Sequence, residues 1–214
     1  MTKVLFVKGN PKSTDQSYSL RLGQSFLDAY TAENPSAQVT ELDLYEAHIP
    51  LIDADVMTGW GKLAQQAELS HHEATKVQRL GELVEQFLAS DLIVFAAPMW
   101  NFGYPPMVKA YMDAIAVAGK TFQYTATGPV GLAVGKKAVI TEARGGVWSS
   151  GPAVGMEHSQ SHLRAFLGFL GITDVQVVLA EGLAFDPSKG EEILAEAVTR
   201  AQQAAKPQPE VAAV

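Results

Sequence analysis

Residues 92–106 read LIVFAAPMWNFGYPP. From Leu92 to Ala97 there is no alternation of apolar and polar side chains. A strand with one face in water alternates, whereas a strand covered on both faces does not. The run is too short for an ordinary helix, and it ends at Pro98, which has no N–H for a sheet ladder. It therefore predicts a central strand of a parallel sheet. The continuation is unusual, because loops run over the surface and are normally polar. Here Met99, Trp100, Asn101, Phe102 and Tyr104 follow the strand directly. A planar heterocycle would use such a segment. It would take flat apolar contact from the aromatic rings and polar contact from Asn101 and nearby backbone amides. The plain alternative is a hydrophobic plug beneath a loop.

Working outward, similar runs occur at 3–7 (KVLFV), 38–44 (QVTELDL), 136–143 (KKAVITEA) and 174–183 (DVQVVLAEGL). Between them lie segments with helical spacing. In 17–35, Leu20, Leu22, Phe26, Leu27 and Tyr30 recur near a helical period before Pro35. In 73–91, Val77, Leu80, Leu83, Val84, Phe87 and Leu88 share one face. A helix is expected from Pro106 to a stop at Gly119, with proline in its first turn. Two more are expected over 159–172 and 187–206. Residues 45–72 have no clear period and read as a long excursion with some helix. Alternating strands and helices, with strands apolar on both faces, predict a doubly wound α/β domain. Five strands in this length fit a flavodoxin-like sheet of five parallel strands with helices on both faces, as a single domain over 1–205. Residues 206–214 read as a flexible C-terminal tail.

Composition narrows the function. The chain has 214 residues, 47% of them hydrophobic, enough for a sizeable core. Its formal charge of −7 argues against a nucleic-acid or membrane-surface binder, which would carry a basic face. It contains no cysteine, hence no disulfide, thiolate metal site or cysteine nucleophile. No apolar run approaches the roughly 18 residues of a membrane span. A cytoplasmic protein is expected.

In doubly wound folds, ligands bind beyond the carboxyl ends of the strands, at the switch in strand order. After the first strand, GNPKSTDQSYSLRL holds Asn10, Ser13, Thr14, Ser17 and Ser19 around a helix start. It has no G-x-G-x-x-G dinucleotide fingerprint. Short polar side chains at a helix N-terminus, with its free N–H groups, suit a phosphate monoester. One such residue would be ordinary capping. After the fourth strand, ARGGVWSSGP (143–152) carries Gly145 and Gly146, whose backbone can come close to a ligand. There, Arg144 alone would read as a surface charge.

Other motifs fail. His158 and His162 lie four apart but have no third ligand and no H-E-x-x-H, so no metal site is expected. His71 and His72 read as solvated. GKK at 135–137 has neither the glycine nor the Ser/Thr of a P-loop, and a strand follows it. There is no G-x-S-x-G.

Taken together, APMWNF, PPMVK, GKTFQYTATGPVGLAVGKKAVI, ARGGVWSSGP, FLGFLGITDV and AEGLA closely resemble the FMN-dependent NADH azoreductases. These are dimeric flavodoxin-like enzymes that also reduce quinones. The resemblance covers all but the tail. It implies FMN as a tightly bound, non-covalent cofactor and NADH as electron donor. It implies that Asn10, Ser17, Tyr18 and Ser19 hold the FMN phosphate. Pro98, Met99, Trp100, Asn101 and Phe102 would run alongside the isoalloxazine. The backbone of Ala143, Arg144, Gly145 and Gly146 would meet its pyrimidine end. Tyr124, Phe166 and Phe169 would wall the substrate pocket, partly across a homodimer interface, with His162 at its mouth. Relatives often have Ser at position 10, Tyr at 100 and Ser at 143, so one phosphate contact and the substrate range would differ here. The chemistry would be centred on the flavin, with no catalytic side chain to name. Quinones and azo compounds would be the substrates. The alternative is a flavodoxin-type electron carrier or a flavin-binding redox sensor with no small substrate of its own.

Overall fold

The computed structural model of the chain describes residues 1–206. Five parallel strands form the main sheet: β1 (Lys3–Lys8), β2 (Gln38–Asp43), β3 (Leu92–Pro98), β6 (Lys137–Ala143) and β7 (Asp174–Ala180). Their spatial order is β2-β1-β3-β6-β7. The chain reverses direction across the sheet between β1 and β3, which are paired from Val4↔Leu92 to Lys8↔Ala96. The predicted parallel sheet is present, and all five strand segments match.

Each central strand feeds two cores, because successive side chains point to opposite faces. Leu5, Val7, Ile93, Phe95, Ala138 and Ile140 face a large core. It is closed by α3 (His71–Leu88), α4 (Pro106–Ile115) and α5 (Gln160–Phe169). Val4, Phe6, Leu92, Val94 and Val139 face the other, closed by α1 (Tyr18–Glu33) and α6 (Gly190–Ala204). The excursion contains α2 (Ala54–Ala64), packed on α3. The start of α3 precedes the apolar periodicity because Ser70 and Glu73 form a capping box, and Glu73 also binds Lys62 at 2.8 Å.

Two local features differ from expectation. The fourth helix stops at Ile115 rather than near Gly119, because Thr121 turns its hydroxyl onto the Ile115 carbonyl at 2.7 Å. Beyond it lies an antiparallel hairpin that the sequence pattern does not predict, β4 (Phe122–Thr125) and β5 (Gly128–Gly131). Two four-residue strands are too short to show a period. Of the tail expected over 206–214, only Lys206 lies within the described residues, and it is exposed.

Two residues past the hairpin, Ala133 N–H donates to Leu170 O at the C-terminal end of α5 at 2.8 Å, docking the hairpin there. At the junction, a methyl on Gly131 would overlap the backbone of Leu170 and Gly171, which has no soft side chain to yield. Gly131→Ala is expected to cost on the order of 2–3 kcal/mol, as other substitutions that force backbone apart do. Equilibrium urea unfolding measures it, and an unchanged midpoint would contradict the packing described.

Candidate active site

Three strand ends converge at the β1/β3 switch in a cleft of about 200 Å³. Its walls include Asn10, Ser17, Tyr18, Ser19, Pro98, Met99, Trp100, Ala143, Arg144 and Gly145, all of them residues singled out from the sequence. Lys12, Gln16 and Leu183 complete it and were not singled out. A larger depression, of about 590 Å³, opens at the opposite edge of the sheet between Asp91, Lys137 and Asp174. It lies at strand N-termini, away from the switch point where doubly wound folds bind ligands.

The first wall is the start of α1. Ser17 caps the helix by accepting from Leu20 N–H at 3.3 Å. The capping hydroxyl is also the middle of a buried chain: Asn10 Nδ2 donates to it at 2.9 Å, and Ser19 Oγ lies 3.1 Å away. Asn10, Ser17 and Ser19 are all buried. A single cap needs one oxygen. Three polar side chains aimed at one helix N-terminus make a cradle for an anion, where the helix end is electropositive. Lys12, held through its N–H to Asn10 Oδ1 at 3.0 Å, adds a cation at the rim.

The second wall follows β3. Met99 N–H donates to Ala143 O at 3.0 Å, tying this segment to the end of β6. Trp100 and Gly103 then exchange backbone hydrogen bonds at 2.8 and 3.0 Å, closing a tight turn. The two central residues, Asn101 and Phe102, have φ of 47° and 70°. Asn tolerates this left-handed region, but Phe there is strained, and such strain is concentrated at functional sites. The turn leaves Trp100 and Phe102 exposed, 42% and 40%, despite their apolar rings. Phe102 packs edge-on against Trp148 with ring centroids 5.3 Å apart. Asn101 and Phe102 lie beside the cleft rather than in its wall. Tyr104 does not offer its ring as flat contact area in the way expected. Its hydroxyl turns inward and donates to Glu142 at 2.6 Å.

The third wall follows β6. The carbonyls of Arg144, Gly145 and Gly146 accept from Leu183, Ala184 and Gly182. Among the described residues, the N–H groups of Gly145 and Gly146 have no acceptor, leaving two donors for a ligand edge. Arg144 is not a surface charge. Its side chain is 1% exposed and bonds three carboxylates: Glu142 at 2.6 Å, Glu181 at 2.9 Å and Glu157 at 3.3 Å. A buried guanidinium needs such partners, because desolvating it alone is costly. Burial opposes ionisation of Glu157, but Ser159, the α5 amides and Arg144 outweigh it and hold the carboxyl below its ordinary range. Burial also opposes ionisation of Glu181, where Ser149, the Trp148 N–H and Arg144 prevail in the same direction. Burial, then the nearby Glu142 charge, pushes Tyr104 well above its ordinary range, so it stays a neutral donor.

The expected substrate-pocket residues are not gathered here. Tyr124 is 75% exposed on the hairpin. It reaches Phe169 through Phe122, with centroids 5.4 and 4.6 Å apart. Phe169 ends the ten-residue α5, which starts near the cleft and descends toward the N-terminal edge of the sheet. That puts Phe169 roughly 15 Å down the helix. Phe166 packs on the core one turn higher, and His162 is exposed in the first turn. Among the described residues, no group of three His, Cys, Asp or Glu could hold a metal, and no helix is long and apolar enough to cross a membrane.

A sheet of this order with a ligand cleft at its switch point defines a flavodoxin-like α/β protein. The chain belongs to the flavodoxin-like fold family, whose model matches residues 2–205. It is 48% identical over 208 residues to a protein of Geobacillus kaustophilus named FMN-dependent NADH:quinone oxidoreductase, covering 96% of this chain and 99% of that one. A crystal structure of azoreductase from Bacillus anthracis str. Sterne superposes with a TM-score of 0.89 at 39% identity, covering 96% and 99%. An FMN complex of an FMN-dependent NADH-azoreductase from Bacillus anthracis str. Ames Ancestor superposes at 0.90 with 33% identity, covering 96% and 98%.

Proposed function

We propose that this chain is an FMN-dependent oxidoreductase that takes electrons from NADH and reduces quinones and azo compounds. The observation that carries the reading is the convergence of a buried Asn10–Ser17–Ser19 cradle with the unpaired amide of Gly145 in one cleft, the unpaired amide of Gly146 following it in the chain. The first fits a phosphate and the second the polar edge of a flat ring. The names of relatives nearly half identical over almost the whole chain agree with it. Bound FMN would supply hydride chemistry, accepting from NADH and then delivering two electrons to an acceptor in the same place, a ping-pong cycle. The residues hold and orient. Asn10, Ser17 and Ser19 bind phosphate, Gly145 and Gly146 offer N–H donors to the negative end of the ring, and Trp100 and Phe102 cover apolar area. The protons that accompany reduction would come from solvent or nearby groups. We infer a cytoplasmic homodimer. Tyr124 lies exposed on a hairpin away from its own cleft, so a second copy is the route by which it would reach a substrate.

The purified protein is expected to be yellow, with a visible band that NADH bleaches and menadione or methyl red restores. Protein that takes up no FMN would end the reading. Protein that binds FMN but oxidises no NADH with either acceptor would favour an electron carrier or sensor.

Trp100 bounds the cleft. Trp100→Tyr is expected to shift the kcat/KM ratio between a bulky azo dye and a small quinone by about tenfold, the scale at which pocket shape discriminates. An unchanged ratio would rule out a selective role.

A further inference from the structure

Two loops of the cleft, after β3 and after β6, and the segment that enters α5 are each tied to a different carboxylate. The loop after β3 is held by Tyr104 Oη–H donating to Glu142 Oε2 at 2.6 Å. The loop after β6 is held by Glu181, whose Oε1 accepts from Trp148 N–H at 3.0 Å and Ser149 N–H at 3.1 Å. Glu181 Oε2 also takes the Ser149 hydroxyl. The segment entering α5 is held by Glu157. It accepts from the N–H groups of Ser159, Gln160 and Ser161 at 2.8, 2.7 and 3.2 Å, so a side chain two residues before Ser159 caps this helix. The hydroxyl of Ser159 stands 2.6 Å from Glu142 Oε1 and 2.8 Å from Glu157 Oε1, joining the two.

One group is common to all three ties. The Arg144 guanidinium bonds Glu142 through Nε, Glu181 through Nη1 and Glu157 through Nη2. Its planar fork allows one side chain to meet three acceptors in fixed directions, which an ammonium does not. The same residue's backbone borders the cleft, with its N–H on Ala180 O at 2.8 Å.

We propose that Arg144 is a positioning residue. Its guanidinium binds no ligand. It sets the three carboxylates that hold these three segments, so the amides of Gly145 and Gly146 and the turn at Asn101 and Phe102 are arranged before the flavin arrives. This rests on the FMN reading above. A site arranged in advance binds more tightly because less ordering is left to do on binding. Weakening the lock is therefore felt as cofactor affinity and flavin environment before it is felt as loss of fold.

The test uses two mild variants. Arg144→Lys keeps the charge and loses the fork. Glu181→Gln keeps an acceptor oxygen and weakens the tie to Trp148 and Ser149. Hydrogen exchange on the flavin-free proteins, FMN titration and the midpoint potential of the loaded proteins are compared with wild type. Faster exchange at Trp148 and Ser149 is expected in both variants, with at least tenfold weaker FMN binding and a shifted potential, while the far-ultraviolet spectrum is unchanged. Variants that melt lower yet bind FMN within twofold of wild type, at the same potential, would make Arg144 a stability element and overturn the proposal. Wild-type protein that binds no FMN would overturn the functional reading and the positioning role with it.

Discussion

Arg144→Met is expected to unfold at markedly lower urea concentration at pH 7, with a loss of about 3–5 kcal/mol. That is the usual cost of removing one partner from a buried ion pair. Met has similar bulk, so the loss is not a cavity effect. It arises because Glu142, Glu157 and Glu181 then face one another without a cation, with Glu142 wholly buried. The pH dependence carries the sharper signature. In the wild-type protein, Glu157 and Glu181 are held below their ordinary range. Their contribution is present above the unfolded carboxylate value of about 4.3 and is lost as pH falls through the folded values. Without Arg144 the serine and amide donors remain, but the cation is gone, and burial with mutual repulsion among three carboxylates raises the folded values. The penalty is then present at neutral pH and is relieved by acid. Arg144→Met should be more stable at pH 5 than at pH 7, and the wild type should not. Urea unfolding at the two pH values decides it, and a variant that acid fails to rescue would mean the carboxylates are not the source of the loss.

The double substitution Ser17→Ala with Ser19→Ala is expected to weaken FMN binding by roughly a hundredfold or more. Hydrogen bonds to a charged group are worth about 1.5–3 kcal/mol each, or about ten- to a hundredfold. Loss of the Ser17 cap costs the protein about 1 kcal/mol of stability, which a parallel melting curve separates from the binding effect. Riboflavin, which has the same ring and no phosphate, supplies the control. The wild type should prefer FMN strongly, and the double variant should lose most of that preference while binding riboflavin nearly as before. Equal losses for both ligands would show that these hydroxyls do not read the phosphate.

The sheet was legible in the sequence because its signal is local. LIVFAA and KVLFV are apolar at every position, as strands between two layers of helix must be. The polar run at Asn10, Ser17 and Ser19 and the pair Gly145–Gly146 were legible as candidate ligand segments for a related reason. Once the alternation of strands and helices was read, the fold rule located the end of each strand. The hairpin at Phe122–Gly131 escaped because short strands show no period. Arg144 escaped because no local pattern distinguishes an arginine in water from one at the centre of a buried cluster. Two of its partners are Glu157 and Glu181, 13 and 37 residues away.

The sequence by itself determined the layer order of the protein and the three segments that meet at the switch point. Apolar period and turn chemistry depend on neighbours in the chain, and the handedness of parallel connections then leaves few arrangements. Tertiary structure alone decided what those segments do. It turned Tyr104 inward onto Glu142, buried Arg144 among three carboxylates and carried Tyr124 away from its own cleft. These are contacts between residues far apart in sequence. Their energies come from desolvation and packing at a point in space, which no stretch of the chain encodes alone.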